Sequence, residues 1–317
     1  MHPTWQLFLN ARGTDTPSPT GGSPQGSPQG YCAALVDLAV LSLHGADAAS
    51  FMQGYFTADL DDLNDTRTLF GAYCDIKGRV VADLIILANR NGLLLVTHRS
   101  LVEPIRESLQ KYLMFSKSEL SDISEDWLTL GLLGRNAEGA NPAAPPWALE
   151  HTDDYWQVAL PGGNRWLCLA RIDEAERIWS TFEGRTGALV PWQLADIDAG
   201  IAHLDAATSA SFLPQMLGYD ELDAISFTKG CYLGQEVVTR AQSRGRVKRR
   251  LSRWSWADQP GDAPATGADL TNADARRIGT VIQAVATSSS AGELLAVAAE
   301  AARDQSARVG SLALDPA

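Results

Sequence analysis

No stretch of this chain approaches the roughly twenty consecutive apolar residues that a membrane-spanning helix requires, so no helical anchor is expected. Its first residues, Met1-His2-Pro3-Thr4-Trp5, have neither the basic start nor the long apolar core of a secretory signal, and a cytoplasmic protein is expected. Cysteine is scarce: Cys32, Cys74, Cys168 and Cys231 are the only four in 317 residues. None is spaced as CxxC, which argues against a zinc or cluster site built by this chain alone and fits a reducing compartment. Cations are in deficit too, 26 lysines and arginines against 38 acids, giving a formal net charge of −12. A chain so acidic is a poor match for direct nucleic-acid binding over its whole surface.

What is present supports globular folding. Apolar residues make up 45% of the chain and nine are tryptophans, enough for two or three lobes each with its own core. One segment departs from this. Gly13 to Gly30, GTDTPSPTGGSPQGSPQG, is rich in Pro, Gly and Ser and cannot bury apolar surface, so it reads as a flexible linker behind a short helix carrying Trp5, Phe8 and Leu9.

A second departure carries the chemistry. From Phe227 to Arg253 the sequence FTKGCYLGQEVVTRAQSRGRVKRRLSR sums to +7 in a chain that is otherwise acidic. Charge of that density is expected to face an anionic partner. Gly230 and Gly234 bracket Cys231 in a turn, and Gln235-Glu236 open a helical pattern with Val237, Val238 and Ala241 as its apolar strip. Cys231 then stands just before a helix N-terminus with Lys229 two residues away, an environment that favours thiolate over thiol. The alternative is a small buried apolar residue, the commonest fate of a free cysteine.

Lys229-Gly230-Cys231-Tyr232-Leu233-Gly234-Gln235-Glu236, followed by Arg240, Arg244-Gly245 and Lys248-Arg249, resembles the signature of the YgfZ-type folate-binding proteins. These are relatives of the glycine-cleavage T protein, an aminomethyltransferase, and serve iron–sulfur enzymes and tRNA modification. The resemblance runs from Leu43 to about Leu312. It implies tetrahydrofolate or a derivative as cofactor, iron–sulfur enzymes or cluster carriers as partners, and a monomer. It also implies Cys231 as the working thiol, with Lys229, Gly230, Tyr232, Gln235, Glu236, Arg240 and Arg246 as cofactor-binding residues. Asp83, by its context in Gly78-Arg79-Val80-Val81-Ala82-Asp83-Leu84, matches the T protein's catalytic aspartate, although Ala82 stands where that protein has a first acid. The other reading of Asp83 is an outward-facing strand residue. A second departure lies at Asp198 and Ala202, which replace the family's arginine and the proline of its AGIP segment. A folate-dependent one-carbon transferase is the alternative function, with an RNA-binding module behind it.

The apolar patterning divides the rest. Residues 31–119 read as a first α+β lobe and 120–250 as a second of similar element order, ending in the cysteine loop and its helix. From 251 to 317, short apolar runs separated by turn residues read as a small β-barrel. T-protein relatives end in such a barrel, so the resemblance implies the same α+β architecture.

Overall fold

The computed structural model describes residues 30–134, 143–151, 155–181, 186–244 and 247–317. The expected N-terminal helix, the linker up to residue 29 and Arg246 lie outside these.

The described chain enters on β1 (Tyr31–Ala34), turns where the Leu38 N–H meets the Leu35 carbonyl at 3.1 Å, and continues as β2 (Leu38–Gly45). Helix α1 (Ala48–Gln53), β3 (Leu69–Cys74), β4 (Val80–Asn89), β5 (Gly92–His98), α2 (Val102–Leu113) and β6 (Ser118–Asp122) follow. Strands β2 to β6 form an antiparallel sheet in the order β3-β4-β5-β2-β6. β3 is buried at every position and β4 along most of its length, which is why both read as unbroken apolar runs. Their connection is a tight turn in which Asp75 Oδ1 accepts the N–H groups of Lys77 and Arg79, with Gly78 at φ 71°. α2 lays Val102, Ile105 and Leu109 on the core, spacing that puts them on one helical face.

Beyond β6 come β7 (Trp127–Leu133), β8 (Leu149–His151), β9 (Tyr155–Ala159), β10 (Arg165–Arg171), α3 (Ala175–Thr181), β11 (Thr186–Gly187) and α4 (Val190–Asp198). These strands build a second sheet in the order β11-β1-β7-β10-β9-β8. A lobe of 31–119 therefore does not describe the threading, because β1 belongs to the second sheet. It pairs antiparallel with β7, Cys32 opposite Leu132, and parallel with β11, Cys32 opposite Thr186. The physical reason is local. Cys32, Ala33 and Ala34 are all buried and fill an interior place. Thr129 then redirects the chain, its carbonyl accepting from Leu35 N–H and its hydroxyl donating to the Leu35 carbonyl.

After the helix α5 (Gln235–Arg244), β12 (Arg249–Trp256), β13 (Asp269–Thr271), β14 (Arg277–Ala286), β15 (Gly292–Ala299), β16 (Ala307–Val309) and β17 (Leu312–Pro316) close a barrel in the order β12-β15-β14-β13-β16-β17. Trp254, Leu270, Val281, Leu294, Ala296 and Leu314 fill it. Gly292 is required where the Trp256 ring crosses, since a Cβ there would lie 2.2 Å from the indole. The molecule is thus α+β, two sheet-plus-helix lobes followed by a small closed barrel. Among the described residues no helix is long and apolar enough to cross a membrane.

Candidate functional site

Asp83 sits in the middle of β4, opposite Ala72 of β3, and is 3% exposed. That removes the outward-facing alternative. Its carboxylate is held on both oxygens: Oδ1 accepts the Leu204 N–H at 2.9 Å, and Oδ2 lies 2.7 Å from His203 Nδ1. The segment bringing His203 there follows α4 and is pinned twice. Ile201 N–H donates to the Asp196 carbonyl, and the Tyr219 hydroxyl donates to the Ala202 carbonyl at 2.7 Å.

A second buried acid lies close by. Asp196, on α4, pairs with Arg165 at the start of β10, and both side chains are 4% exposed. The guanidinium also donates to the Ala195 carbonyl at 2.8 Å, and its carbon stands 4.7 Å over the Trp192 ring. Such a pair persists in low dielectric because its two terminal nitrogens find partners, while Nε is left buried without one. His203 Nε2 is 3.9 Å from Asp196 Oδ1, beyond hydrogen-bond length but well within electrostatic reach. Burial alone would pull the imidazole below its ordinary value. The hydrogen bond to Asp83 and the charges of Asp83 and Asp196 outweigh that and an opposing Arg165, so the net direction is upward.

Asp83, Asp196 and His203 stand on the wall of a cavity of about 220 Å³ where both sheets meet the barrel, with Arg165 behind them. Leu35, Ile85, Val96 and Trp192 give it apolar surface, Ile282 and Gln283 of β14 close the barrel side, and the exposed Asp37 also lines it. Gln283 Oε1 is buried there with no hydrogen-bond partner, an acceptor left for a donor to fill. His203, Asp196, Arg165 and Gln283 were not singled out from the sequence. The legible signal was a charged or polar residue inside an apolar run, in Arg165-Trp166-Leu167, Leu194-Ala195-Asp196 and Ile201-Ala202-His203-Leu204.

The cysteine loop forms a separate place. None of Lys229, Gly230, Cys231, Tyr232, Gln235, Glu236 and Arg240 lines the cavity. Instead the loop docks on the end of α1, with Leu233 N–H on the Gly54 carbonyl at 2.9 Å, and on the β3–β4 turn. Gly234, at φ 82°, makes that possible: a Cβ would lie 2.4 Å from the Asp75 carbonyl oxygen. Lys229 turns inward, its ammonium donating to the carbonyls of Phe56 at 2.9 Å and Ala58 at 2.7 Å. Burial draws its pKa down to about 8, against the pull of Asp59 and Asp61. It is a strut between loop and lobe, so its charge is already engaged rather than free for the thiol. Tyr232 is buried and its hydroxyl has no partner. Cys231 is exposed, unlike Cys32, Cys74 and Cys168.

Three described arginines of the basic tract are held by acids of this chain. Arg240 pairs with Glu236 at 2.6 Å, Arg250 with Asp220 and Glu221, and Arg253 with Asp198 and Glu293. The net +7 already includes Glu236; for Arg250 and Arg253, acids distant in sequence offset charge that it leaves standing. Asp198, where the resemblance expects an arginine, is thereby part of the contact between second lobe and barrel.

Comparison with known proteins bears on this geometry. Residues 33–140 match the family model described as the GCVT N-terminal domain. The tRNA-modifying protein YgfZ of Klebsiella pneumoniae (strain 342) is 33% identical over 264 residues, covering 79% of this chain and 80% of that one. Its namesake from Yersinia pseudotuberculosis serotype O:1b (strain IP 31758) is 34% identical over 264 residues, covering 79% of each. Among solved structures, the glycine cleavage system aminomethyltransferase T from Bartonella henselae superposes with a TM-score of 0.70. That match covers 92% of this chain and 86% of that chain at 13% identity, a likeness of fold alone.

Proposed function

This chain belongs to the YgfZ family of tRNA-modifying proteins, and from that premise we propose that it is a folate-binding accessory protein supporting iron–sulfur enzymes, among them those that modify tRNA. The observation that carries the folate reading is the cavity at the junction of the two lobes and the barrel. Its wall is mixed: aliphatic side chains and the Trp192 ring on one hand, and on the other a cluster of polar groups that includes Asp83, Asp196, His203 and Gln283. A flat heterocycle bearing both donors and acceptors suits such a lining. The unpartnered Gln283 oxygen is a fit in particular, since an amino-substituted ring brings the donor it lacks. Reduced folate, when bound, supplies a carrier for one-carbon units; His203, Gln283 and Trp192 are the residues that would hold its ring, with Asp83 orienting His203.

Cys231 has a different part in this reading. It is the exposed thiol of the family-like loop, set apart from the cavity, where a large partner can reach it. The transferase alternative asks Asp83 to act on folate chemistry directly. Both Asp83 oxygens are already engaged by protein donors, which favours a positioning role through His203.

Calorimetric titration with tetrahydrofolate at low salt is expected to show saturable binding that Trp192→Ala weakens. No heat at any salt concentration would remove the folate reading. In cells lacking the protein, the activity of an iron–sulfur tRNA methylthiotransferase is expected to drop and to be restored by the wild-type chain. Restoration to the same level by Cys231→Ser would end the role given to the thiol.

A further inference from the structure

We propose that His203 is the hydrogen-bond donor this cavity presents to its ligand: a protonated bridge between Asp83 and Asp196 whose Nε2–H takes an acceptor atom, a carbonyl or anionic oxygen. The ligand half of this rests on the folate reading above; the bridge does not.

The geometry leaves little else free. Each Asp83 oxygen already accepts a protein donor, Leu204 N–H on Oδ1 and His203 Nδ1 on Oδ2, and the His203 ring, not the carboxylate, carries the exposed surface. Asp196 is bound by Arg165 Nη2, and Nη1 of the same guanidinium continues to the main-chain carbonyls of Pro161 and Ala195. Among the ring nitrogens of His203, Nδ1 is used, while Nε2 stands 3.9 Å from Asp196, too far for a hydrogen bond, and is the donor left facing the cavity beside the unpartnered Gln283 acceptor. The ring retains 31% of its side-chain surface and lines the cavity. An Asp83 carboxylate standing alone would select the donor edge of a ligand. With the imidazole over it, the same spot selects an acceptor.

Charge balance supports the protonated form. The groups facing the ring are Asp83 from β4, Asp196 from α4 and Arg165 from β10. With the imidazole charged, two anions meet two cations; with it neutral, the buried group carries an uncompensated negative charge, which low dielectric penalises. The other faces add little. The Phe70 ring of β3 stands edge-on at 6.3 Å, and Tyr219 gives its hydroxyl to a carbonyl. Asp37, His98 and Asp205 complete the titratable groups of the cavity wall. His98 shares its Nδ1 with Ser100, and Asp205 accepts from its own turn.

Two measurements test this. Imidazole NMR on the full chain, with His203 assigned by loss of its signals in His203→Asn, is expected to show both ring nitrogens protonated at pH 7. The titration midpoint is expected to fall in Asp83→Asn. A neutral ring at pH 7, or a midpoint that ignores Asp83→Asn, overturns the bridge. Separately, affinity for 5-formyltetrahydrofolate is followed across the pH range in which the ring loses its proton. It is expected to decline as pH rises in the wild type. In His203→Asn, whose amide can still meet Asp83 but lacks the Nε2 donor, affinity falls about ten- to hundredfold at low pH and the pH dependence flattens. Wild-type affinity retained by His203→Asn overturns the donor role. If the wild-type chain takes no reduced folate at all, the functional reading fails and the donor role with it, while the NMR result still decides the bridge.

Discussion

Two buried carboxylates, Asp83 and Asp196, are neutralised by different means, and the difference is measurable. Arg165→Met leaves Asp196 buried without its cation and is expected to cost about 3–5 kcal/mol in chemical denaturation, with part recovered when Asp196→Leu is added. The Asp83 side responds to pH. His203 binds its proton more tightly in the folded chain than in the unfolded one. Its contribution is therefore complete below the ordinary histidine value of about 6.5 and is lost as pH rises through the higher folded value. Stability measured at pH 6 and pH 8.5 is expected to fall more in the wild type than in His203→Asn. The cysteines divide as plainly. Burial pushes the thiols of Cys74 and Cys168 well up, and Cys32 is enclosed too, so iodoacetamide under native conditions is expected to label Cys231 first by a wide margin. Equal labelling of all four would refute that. Residue by residue, legibility followed local context. Asp83 and Cys231 stand in recognisable strings. His203, Asp196 and Arg165 matter through partners tens of residues away, which no local pattern displays.

Elements were legible where periodicity is strong and local. The helix after the cysteine loop and the barrel strands follow from helical spacing, short apolar runs and turn chemistry. Pairing partners were not legible. Tyr31–Ala34 and Leu38–Gly45 look like one interrupted run, yet the break at Leu35 sends them into different sheets. The cysteine loop makes the same point from the other side. Its glycines were read as loop formers, but Gly234 is fixed by what it touches, the main chain of Asp75 and Gly78. Gly234→Ala adds a Cβ at positive φ and 2.4 Å from a carbonyl oxygen, so the loop must lift from the hairpin. A loss on the order of 1–3 kcal/mol is expected, read as a lower melting midpoint. An unchanged midpoint would show that the loop is not seated on the β3–β4 turn.

The molecule holds its cavity together from three directions, and the barrel is the least local of them. Ile197 on α4 packs with Val285 and Leu295 of the barrel, and Arg253 reaches from β12 to Asp198. Val285→Asp puts a charge into that apolar contact. Limited proteolysis is expected to cut faster between α5 and β12, and tetrahydrofolate binding to be lost with Ile282 and Gln283 withdrawn from the wall. An unaltered digestion pattern would show the barrel docked by other means.

The placement of β1 sets an order of events at the ribosome. Tyr31–Ala34 is among the first described segments to be made, but its neighbours β7 and β11 emerge only after about a hundred and a hundred and fifty further residues. The first sheet can assemble while β1 waits without a partner, a buried-type strand exposed on a growing chain. Translation speed across residues 35–133 then sets how long β1 stays wholly unpaired, and across 134–187 how long its second edge stays open to capture by another nascent chain.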